Sequence, residues 1–379
     1  MRFTVFPIIF LLMVGFSSPS QSADLIPQPL TGPELFENYS DDAGGNVSGA
    51  TCFNGTDCLV VADELIAVQR IQLSEDLKSY TVGKTFERTF PACLDPEQGN
   101  CPEWDLEALA RNGQRVFVAG SMGFKRKKVK FDEDRWVVAG FNVGPDGSPS
   151  STVAQVQNSH RVLSHLFAGH TPDISKYVDK PLQCSGLNIE GLAHLNGNLV
   201  FGLRSPSDRA NGIGYLVEAP ANSVLTGDGT PKAKLHVLHF KNADGSAIAN
   251  VGIRALERIG ARLIIVTGDS GVADAKKRKH QDRRADECSN LPGRGAHTNI
   301  PSEPRQQPRL WVWTPGTEVP QEIGAIGGNF KRQKLEGVAV ISHTTATADL
   351  LLTFDDPEEN GALAILRNIN IPSGRQRPQ

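Results

Sequence analysis

Asn188-Ile-Glu-Gly-Leu-Ala193 opens a pattern that continues through a turn at Asn196-Gly197 and a second segment, Leu199-Val-Phe-Gly-Leu203. The pattern recurs in four other places, two of them close copies and two looser ones. These copies are Asp105–Ala110 with Arg115–Ala119, Leu335–Ala339 with Leu350–Phe354, Val251–Leu256 with Leu263–Thr267, and Val47–Thr51 with Cys58–Ala62. Each copy reads as a strand, a tight turn and a more apolar strand, which is typical of a β-hairpin. Self-similarity at intervals of tens of residues predicts a repeat architecture.

Further apolar runs extend these hairpins into units of four strands. The predicted third strands are Trp136–Phe141, Gly214–Glu218, Leu310–Trp313 and Ala362–Leu366. The predicted fourth strands are Phe86–Phe90, Arg161–His165, Leu235–Phe240 and Gln321–Ile326. Four antiparallel strands in each radial unit are the blade pattern of a propeller. The sequence therefore predicts an all-β fold, a β-propeller of four-stranded antiparallel blades.

The last copy has only three strands, so another part of the chain must complete its blade. Pro33–Asn38 stands just before the first copy and is the predicted closing strand. An N-terminal strand in that place would remove the exposed edges of an open array. The count predicts five blades, and a sixth is the alternative if the stretch from Asn142 to Lys180 contains one. The alternative fold is a β-sandwich with coincidental hairpins.

The first residues have the features of an export signal. A basic start at Arg2 is followed by the apolar run Phe6–Phe16 and by small residues up to Ala23. This pattern is typical of a cleaved secretory signal peptide, and an uncleaved anchor is the alternative. No later segment approaches the roughly twenty apolar residues of a membrane span. We predict a signal peptide at 1–23, a single propeller domain at 24–372, a flexible tail at 373–379 and a secreted or periplasmic location.

Charge limits the choice of partner. The chain of 379 residues has 39 Lys and Arg against 42 Asp and Glu, a formal net charge of −3. A general nucleic-acid binder would normally be strongly basic, so we expect no nucleic-acid partner. Nothing in the composition indicates an oligomeric state.

The six cysteines are an even number in a chain predicted to be exported, so disulfides are expected. Cys52 and Cys58 flank one hairpin turn, which makes them a natural pair. Cys93 and Cys101 lie in one loop between blades, and this would leave Cys184 to pair with Cys288. A zinc site is the competing use of these thiols, but the chain has no CxxC pair.

The first strand of each blade lines the central channel of a propeller. Glu107, Glu190 and Glu336 stand at the start of three such strands, with Arg254 and Ser48 at the matching places in the other two. Converging carboxylates repel one another unless a cation or an arginine lies among them. Calcium suits carboxylate oxygens, so these three glutamates are the predicted metal ligands. The alternative is that each Glu is a structural latch that hydrogen-bonds backbone in its own blade.

The loops after the second strands carry basic residues that should surround one end of the channel. The predicted anion-binding residues are Lys125, Lys127, Arg204, Arg209, Arg254, Lys276 and Lys277. Such a concentration of positive charge would attract a small anionic molecule or an acidic polymer, and arginine suits two-point contact with phosphate. The alternative is ordinary solvated charge on exported loops. Acids at the second-strand ends, Asp63, Asp269 and Asp355, should lie on the same face.

One segment resembles a catalytic motif but lacks a recognisable partner for its serine. Thr267-Gly-Asp-Ser-Gly271 contains the Gly-Asp-Ser-Gly sequence found around the nucleophile of chymotrypsin-like proteases. A nucleophilic Ser270 would need a positioned histidine and an acid, and none of the nine histidines stands in a recognisable partner motif. The repeat already accounts for Asp269 as a strand-end acid.

Several phrases carry a family resemblance. Ile189–Ala193 with Phe201–Pro206, Val251–Leu256 and Leu335–Ala339 resemble the secreted bacterial family catalogued as domain of unknown function 3616. The similarity spans roughly Val47 to Arg367 and is more specific from Cys184 onward. The Glu-Gly-Leu-Ala phrase also resembles the esterase-like phytase propellers, which implies phosphoester hydrolysis with calcium.

Two functions are compatible with these residues. The first is a calcium-assisted phosphoester hydrolase, in which the three glutamates hold the metal and the arginines neutralise phosphate. The alternative is a non-catalytic propeller that binds an anionic ligand or a protein partner through the same basic residues. Fold alone does not choose between them, because propellers carry many unrelated functions.

Overall fold

Five antiparallel sheets of four strands each form a ring in this chain. The computed structural model describes residues 24–37, 46–63, 66–85, 104–124, 131–145, 147–148, 150, 155–227, 232–270, 306–355 and 362–373. The protein is a five-bladed β-propeller, so the predicted fold class is confirmed. The five sheets also settle the blade count, since a sixth blade had been the alternative.

Each blade runs outward from the channel in chain order. Blade 1 consists of β2 (Val47–Cys52), β3 (Asp57–Ala62), β4 (Val68–Leu73) and β5 (Tyr80–Thr85). Blade 2 consists of β6 (Leu106–Asn112), β7 (Arg115–Gly120), β8 (Val137–Asn142) and β9 (Gln155–Asn158). Blade 3 consists of β10 (Asn188–Leu195), β11 (Asn198–Asp208), β12 (Ile213–Pro220) and β13 (Lys234–His239). Blade 4 consists of β14 (Val251–Ile259), β15 (Arg262–Asp269), β16 (Arg309–Trp313) and β17 (Gln321–Ala325).

Blade 5 is closed by the N-terminal part of the chain. It consists of β18 (Lys334–His343), β19 (Thr347–Asp355), β20 (Leu363–Asn370) and, outermost, β1 (Gln28–Pro29). Closure by an N-terminal strand was predicted, but the choice of Pro33–Asn38 was wrong. Leu35 and Phe36 are adjacent and both buried, so this segment turns inward between blades 1 and 5 instead of alternating along a sheet edge. The Phe36 amide donates a hydrogen bond to Gln69 Oε1 at 2.9 Å.

Two of the predicted fourth strands are not confirmed. Arg161–His165 is helical, in α1 (His160–Leu163) and the 3-10 turn Ser164–Phe167 that follows it. Its buried residues Leu163, Leu166 and Phe167 have helical spacing, which explains the error. Phe86–Phe90 lies outside the described residues, and β5 ends just before it. A second short helix, α2 (Ala221–Thr226), follows blade 3's third strand.

The hydrophobic core is divided into five clusters, and each one lies between two adjacent blades. The second strands are apolar on both faces because each face belongs to a different cluster. In β11, Phe201 packs between blades 2 and 3, while its neighbour Val200 packs between blades 3 and 4. Burying one such side chain fully contributes about 1.5–3 kcal/mol. This explains the more apolar second segment of every repeat.

Part of the disulfide prediction is confirmed. Cys52 and Cys58 are bonded across the turn between β2 and β3. Cys184 is also disulfide-bonded, whereas Cys93, Cys101 and Cys288 lie outside the described residues. The predicted signal peptide at 1–23 and most of the predicted tail lie outside them too. In the part of the chain that the structure describes, no helix is long and apolar enough to cross a membrane.

Candidate active site at the upper end of the channel

Every innermost strand has a β-bulge near its first residue, and the bulge occupies the same place in all five repeats. The register of each hairpin skips one residue there. The skipped residues are Ser48, Glu107, Glu190, Arg254 and Glu336, which we call the upper ring. All five are at most 4% exposed. Bulges of this kind redirect side chains and are common beside active sites.

A small residue follows each bulged residue and lets the innermost strands approach one another closely. These residues are Gly49, Ala108, Gly191, Ala255 and Gly337. A Cβ added to Gly49 would stand 3.0 Å from the Ala108 Cα, and one added to Gly337 would stand 3.0 Å from the Gly49 Cα. The channel is therefore narrow at the level of the upper ring.

Arg254 lies between two of the three glutamates. Its Nη1 is 2.9 Å from Glu190 Oε2, and its Nη2 forms an ion pair with Glu336. Arg204, which lies in β11 between the paired residues Leu203 and Ser205, forms a second ion pair with Glu190. Burial opposes the charge of Arg254, but Glu190 and Glu336 outweigh that effect and hold its pKa above the ordinary value. The result is a buried chain of charges, Arg204–Glu190–Arg254–Glu336.

Glu107 lies outside that chain of charges. It is 3% exposed, and no hydrogen bond or ion pair joins its side chain to another described residue. Burial raises its pKa well above 4.5, and the nearby carboxylates of Asp105, Glu190, Glu336 and Asp63 raise it further. The Glu107 carboxyl therefore keeps its proton over a wider pH range than an ordinary glutamate does.

Two further ion pairs flank the upper ring. Asp105, directly before β6, accepts a hydrogen bond from Arg135 Nη1 at 2.8 Å. Lys334 and Asp355 pair across the first two strands of blade 5. Burial raises the pKa of Asp355 and Glu336 raises it further, although Lys334 acts in the opposite direction. Both pairs add charge close to the ring, but neither Arg135 nor Lys334 forms an ion pair with Glu107.

Glu107, Glu190 and Glu336 line one small cavity on the channel axis. Its volume of about 10 Å³ is room for about one water molecule. Below it, one buried side chain from each innermost strand closes the channel. These residues, the apolar layer, are Ala50, Leu109, Leu192, Leu256 and Val338. The apolar layer therefore separates this cavity from the lower end of the channel.

The three predicted metal ligands share this cavity but do not form a calcium site in the arrangement seen. Among the described residues, no group of three or more Asp, Glu, His or Cys could hold a metal ion. Arg254 supplies positive charge to Glu190 and Glu336, which is the role that calcium was expected to fill. Calcium binding stays a prediction, and no step of the chemistry below depends on it.

The predicted anion-binding residues fall into three groups. Arg204 and Arg254 are paired with ring carboxylates. Arg209 is only 8% exposed, and its buried Nη2 has no hydrogen-bond partner among the residues that the structure describes. Burial lowers the Arg209 pKa to about 10, against the opposing effect of Asp269. Lys125, Lys127, Lys276 and Lys277 lie outside the described residues.

Ser270 does not have the surroundings of a nucleophile. It is fully buried, and its hydroxyl donates a hydrogen bond to Asn250 Oδ1 at 2.8 Å. The same Asn250 donates to Asp269 Oδ1 at 3.0 Å. This network ties the end of β15 to the segment before β14, so the Gly-Asp-Ser-Gly sequence has a structural role here.

Sequence reasoning found the ring positions but missed the bulges. A visible signal was the small residue directly after each polar one, as in Glu190-Gly191 and Glu336-Gly337. The partners Arg135 and Lys334 were also missed, because no spacing in the sequence connects them to the ring.

Residues 46–138 match the family described as "Protein of unknown function (DUF3616)". This confirms the resemblance. The matched part covers blade 1 and blade 2 up to the start of β8, whereas the phrases that suggested the family lie further along the chain. No curated protein matches the sequence closely enough to count as a relative.

Solved structures that resemble the chain include several enzymes. A luciferin-regenerating enzyme is 13% identical with a TM-score of 0.36, over 86% of this chain and 92% of that one. RS223 β-xylosidase is 8% identical with a TM-score of 0.43, over 87% and 96%. A GH43_1 enzyme from Xanthomonas citri is 7% identical with a TM-score of 0.43, over 90% and 91%. At these values the likenesses say nothing about activity.

Proposed function

We propose that this protein is an exported hydrolase of small anionic esters, with phosphate esters as the first class to test, and that Glu107 is its proton donor. One observation carries the proposal: the buried Glu107 carboxyl, which has no ion pair with any described residue, stands beside two carboxylates that are paired with arginines. Two carboxyl groups whose surroundings push their pKa values apart are the usual sign of an acid and a base.

The roles follow from these surroundings. Protonated Glu107 can give its proton to the leaving-group oxygen as the ester bond breaks. Glu190 and Glu336 stay ionised beside Arg254, so either can accept a hydrogen bond from a water in the shared cavity. That water would attack the ester and pass its proton to the carboxylate, which balances the reaction. The apolar layer below keeps other water away from the ring.

Arg209 supports an anionic substrate. A buried guanidinium without a described partner is costly unless an anion neutralises it, and it can bind phosphate at two points. The four lysines of the predicted basic loops would add long-range attraction. Export is supported by the signal-like first residues and by the Cys52–Cys58 bond, since disulfides persist in oxidising compartments.

The test is an assay of residues 24–379 against p-nitrophenyl phosphate and a panel of natural phosphate esters. Glu107→Gln keeps the shape of the side chain but cannot donate the proton, so kcat on the natural alkyl phosphates should fall about 10²–10⁴-fold with little change in KM. The loss on p-nitrophenyl phosphate should be smaller, because p-nitrophenolate leaves without a proton. Glu322→Gln is the matched control, because Glu322 pairs with Arg309 on the outer strand of blade 4 and should leave turnover unchanged.

Three results would count against the proposal. Absence of turnover in the wild type, together with measurable binding of the same esters, would support the binding module instead. Full activity of Glu107→Gln on the natural alkyl phosphates would remove Glu107 as the donor. Equal losses in both variants would indicate a general effect on the fold.

The calcium prediction has a separate test, a thermal melt in chelator and then with calcium restored. Calcium at a hundred times its dissociation constant should add about 2.7 kcal/mol of stability. A rise of that size would support a calcium-assisted version of the reaction. No shift would remove calcium from the proposal and leave the acid–base chemistry of Glu107 to be judged by the assay.

A further inference from the structure

Basic residues occupy the lower end of the channel, below the apolar layer. Arg111, His194 and Arg258 each stand four positions after the bulge, on the innermost strands of blades 2, 3 and 4. Side chains alternate along a strand, so these residues lie on the same side as the apolar layer. Cys52 and Val340 hold the matching places in blades 1 and 5, and we call all five the lower ring.

Two of the basic side chains have buried nitrogen atoms without partners. His194 is 5% exposed, and its Nδ1 has no hydrogen-bond partner in the described part of the chain. The same is true of the buried Nε of Arg111. Stacking explains the placement of both: His194 lies parallel to Phe117 with ring centroids 5.4 Å apart, and the Arg111 guanidinium carbon stands 5.7 Å from the Phe53 centroid. Stacking does not explain why His194 Nδ1 and Arg111 Nε form no hydrogen bond with a described residue.

No acid of the five innermost strands neutralises the lower ring at neutral pH. Within the five innermost strands, all of which are described, Glu257 is the only acid below the apolar layer. No ion pair joins its side chain to Arg111 or Arg258 in the described structure. Burial raises its pKa to about 8, against the opposing effect of Arg111. The neutral form therefore predominates at pH 7, so Glu257 does not neutralise Arg111, which is half-buried, or Arg258, which is exposed.

The turns at this end of the channel face solvent, and Arg258 is exposed. These turns are short, and added Cβ atoms at Gly113, Gly197 and Gly260 would meet nothing within 4 Å. The neighbouring cation Arg115 donates to Gln155 Oε1 at 2.9 Å and lies over Phe117. It therefore adds positive charge at the edge of the ring without supplying an anion.

The geometry points to a second binding site at this end, for a small oxyanion of two negative charges, held between Arg111 and Arg258 with a hydrogen bond from His194. Guanidinium groups bind such anions at two points each. The anion would neutralise the arginines and meet the unpartnered nitrogen atoms. This site does not rest on the proposed hydrolase, because the apolar layer separates it from the upper ring.

Sulfate is the probe, since its charge stays constant over the pH range needed. Calorimetric titration at pH 7 in a low-salt chloride buffer should show binding to residues 24–379. The double variant Arg111→Gln with Arg258→Gln should bind sulfate at least tenfold more weakly. Arg367→Gln removes one exposed charge from β20 and should bind like the wild type. Arg209→Gln, which alters the upper end, should also keep the lower-end affinity.

A pH series tests the same site without removing an arginine. Affinity in the wild type should fall as pH rises through about 8, because the ionised Glu257 carboxylate then neutralises the arginines and repels sulfate. Glu257→Gln should abolish that fall. Unchanged binding in the double arginine variant would overturn the proposal. So would a loss confined to Arg209→Gln, since it would place the sulfate at the upper end.

Discussion

The two ends of the central channel differ in how their charges are balanced. At the upper end, Arg254 lies between Glu190 and Glu336, and Arg204 adds a second cation beside Glu190. At the lower end, Arg111 and Arg258 stand near one another, and Glu257, the only acid of the described innermost strands at this level, holds its proton at neutral pH. The same five strands thus build one end that is neutralised internally and one end that needs an anion from outside.

The difference begins with backbone geometry. A bulge at each upper-ring residue breaks the alternation and turns that side chain towards the upper end of the channel. Below it the strands alternate regularly, which puts the apolar layer between the two charged levels. Since the layer excludes water, the charges above it interact in a medium of low dielectric constant, where pairing matters most.

The largest expected effect follows from breaking the upper network. Arg254→Gln would leave Glu336 as a buried carboxylate without its arginine, and removing one partner of a buried pair costs about 3–5 kcal/mol. Arg111→Gln at the lower end removes no ion pair and relieves repulsion from Arg258, so it should cost less than about 1 kcal/mol, the value of its contact with Phe53. Urea unfolding at pH 7 measures both.

The comparison between the ends would fail if these two variants lost similar stability. A second variant sharpens the result: adding Glu336→Gln to Arg254→Gln removes the uncompensated carboxylate and should restore part of the loss. No recovery would mean that Arg254 stabilises the ring by packing more than by charge.

The next effect depends on pH and belongs to the lower end. Glu257 has a pKa of about 8 in the folded protein against an ordinary 4.5, so its contribution is fully present below pH 4.5 and is lost as pH rises through 8. Each pKa unit corresponds to about 1.4 kcal/mol. Glu257→Gln should therefore be more stable than the wild type at pH 9, by at most about 5 kcal/mol, and should show little difference at pH 4. An equal gain at both values would contradict the pKa assignment.

Much of the fold could be predicted because each blade repeats the same physical problem. In every copy the second strand has two apolar faces and follows a turn, so each copy supports the interpretation of the next. Val200-Phe201 and Leu351-Leu352 are examples, because the two side chains of each pair pack into different clusters. Segments that depart from the repeat were harder to predict. The sequence predicts an edge strand at Pro33–Asn38, whereas the chain turns at Leu35-Phe36, where Phe36 has a φ of 54° and both side chains are buried.

The site was predictable in position but not in pairing. Matching Ser48 and Arg254 to the glutamates followed from aligning the repeats, because each copy has its bulge at the same place. Which side chains meet across the channel depends on the ring order of the blades and on the direction each bulge imposes. For that reason the sequence predicts Arg254 as an anion-binding residue, whereas the structure places it between two carboxylates.

The smallest expected effect comes from replacing a glycine, which is needed for a different reason at each end of the channel. At the upper end, Gly337 is needed for space, since an added Cβ would clash with Thr353 Oγ1 and stand 3.0 Å from the Gly49 Cα. At the lower end, Gly260 has a φ of 62° and open surroundings, so it is needed for its left-handed backbone. Gly337→Ala should cost about 1–3 kcal/mol and Gly260→Ala about 1 kcal/mol. Asparagine separates the causes, because it tolerates the left-handed region: Gly260→Asn should recover stability relative to alanine, whereas Gly337→Asn should be worse than alanine. Similar behaviour of asparagine at both positions would show that the upper strands are not as closely packed as the ring geometry requires.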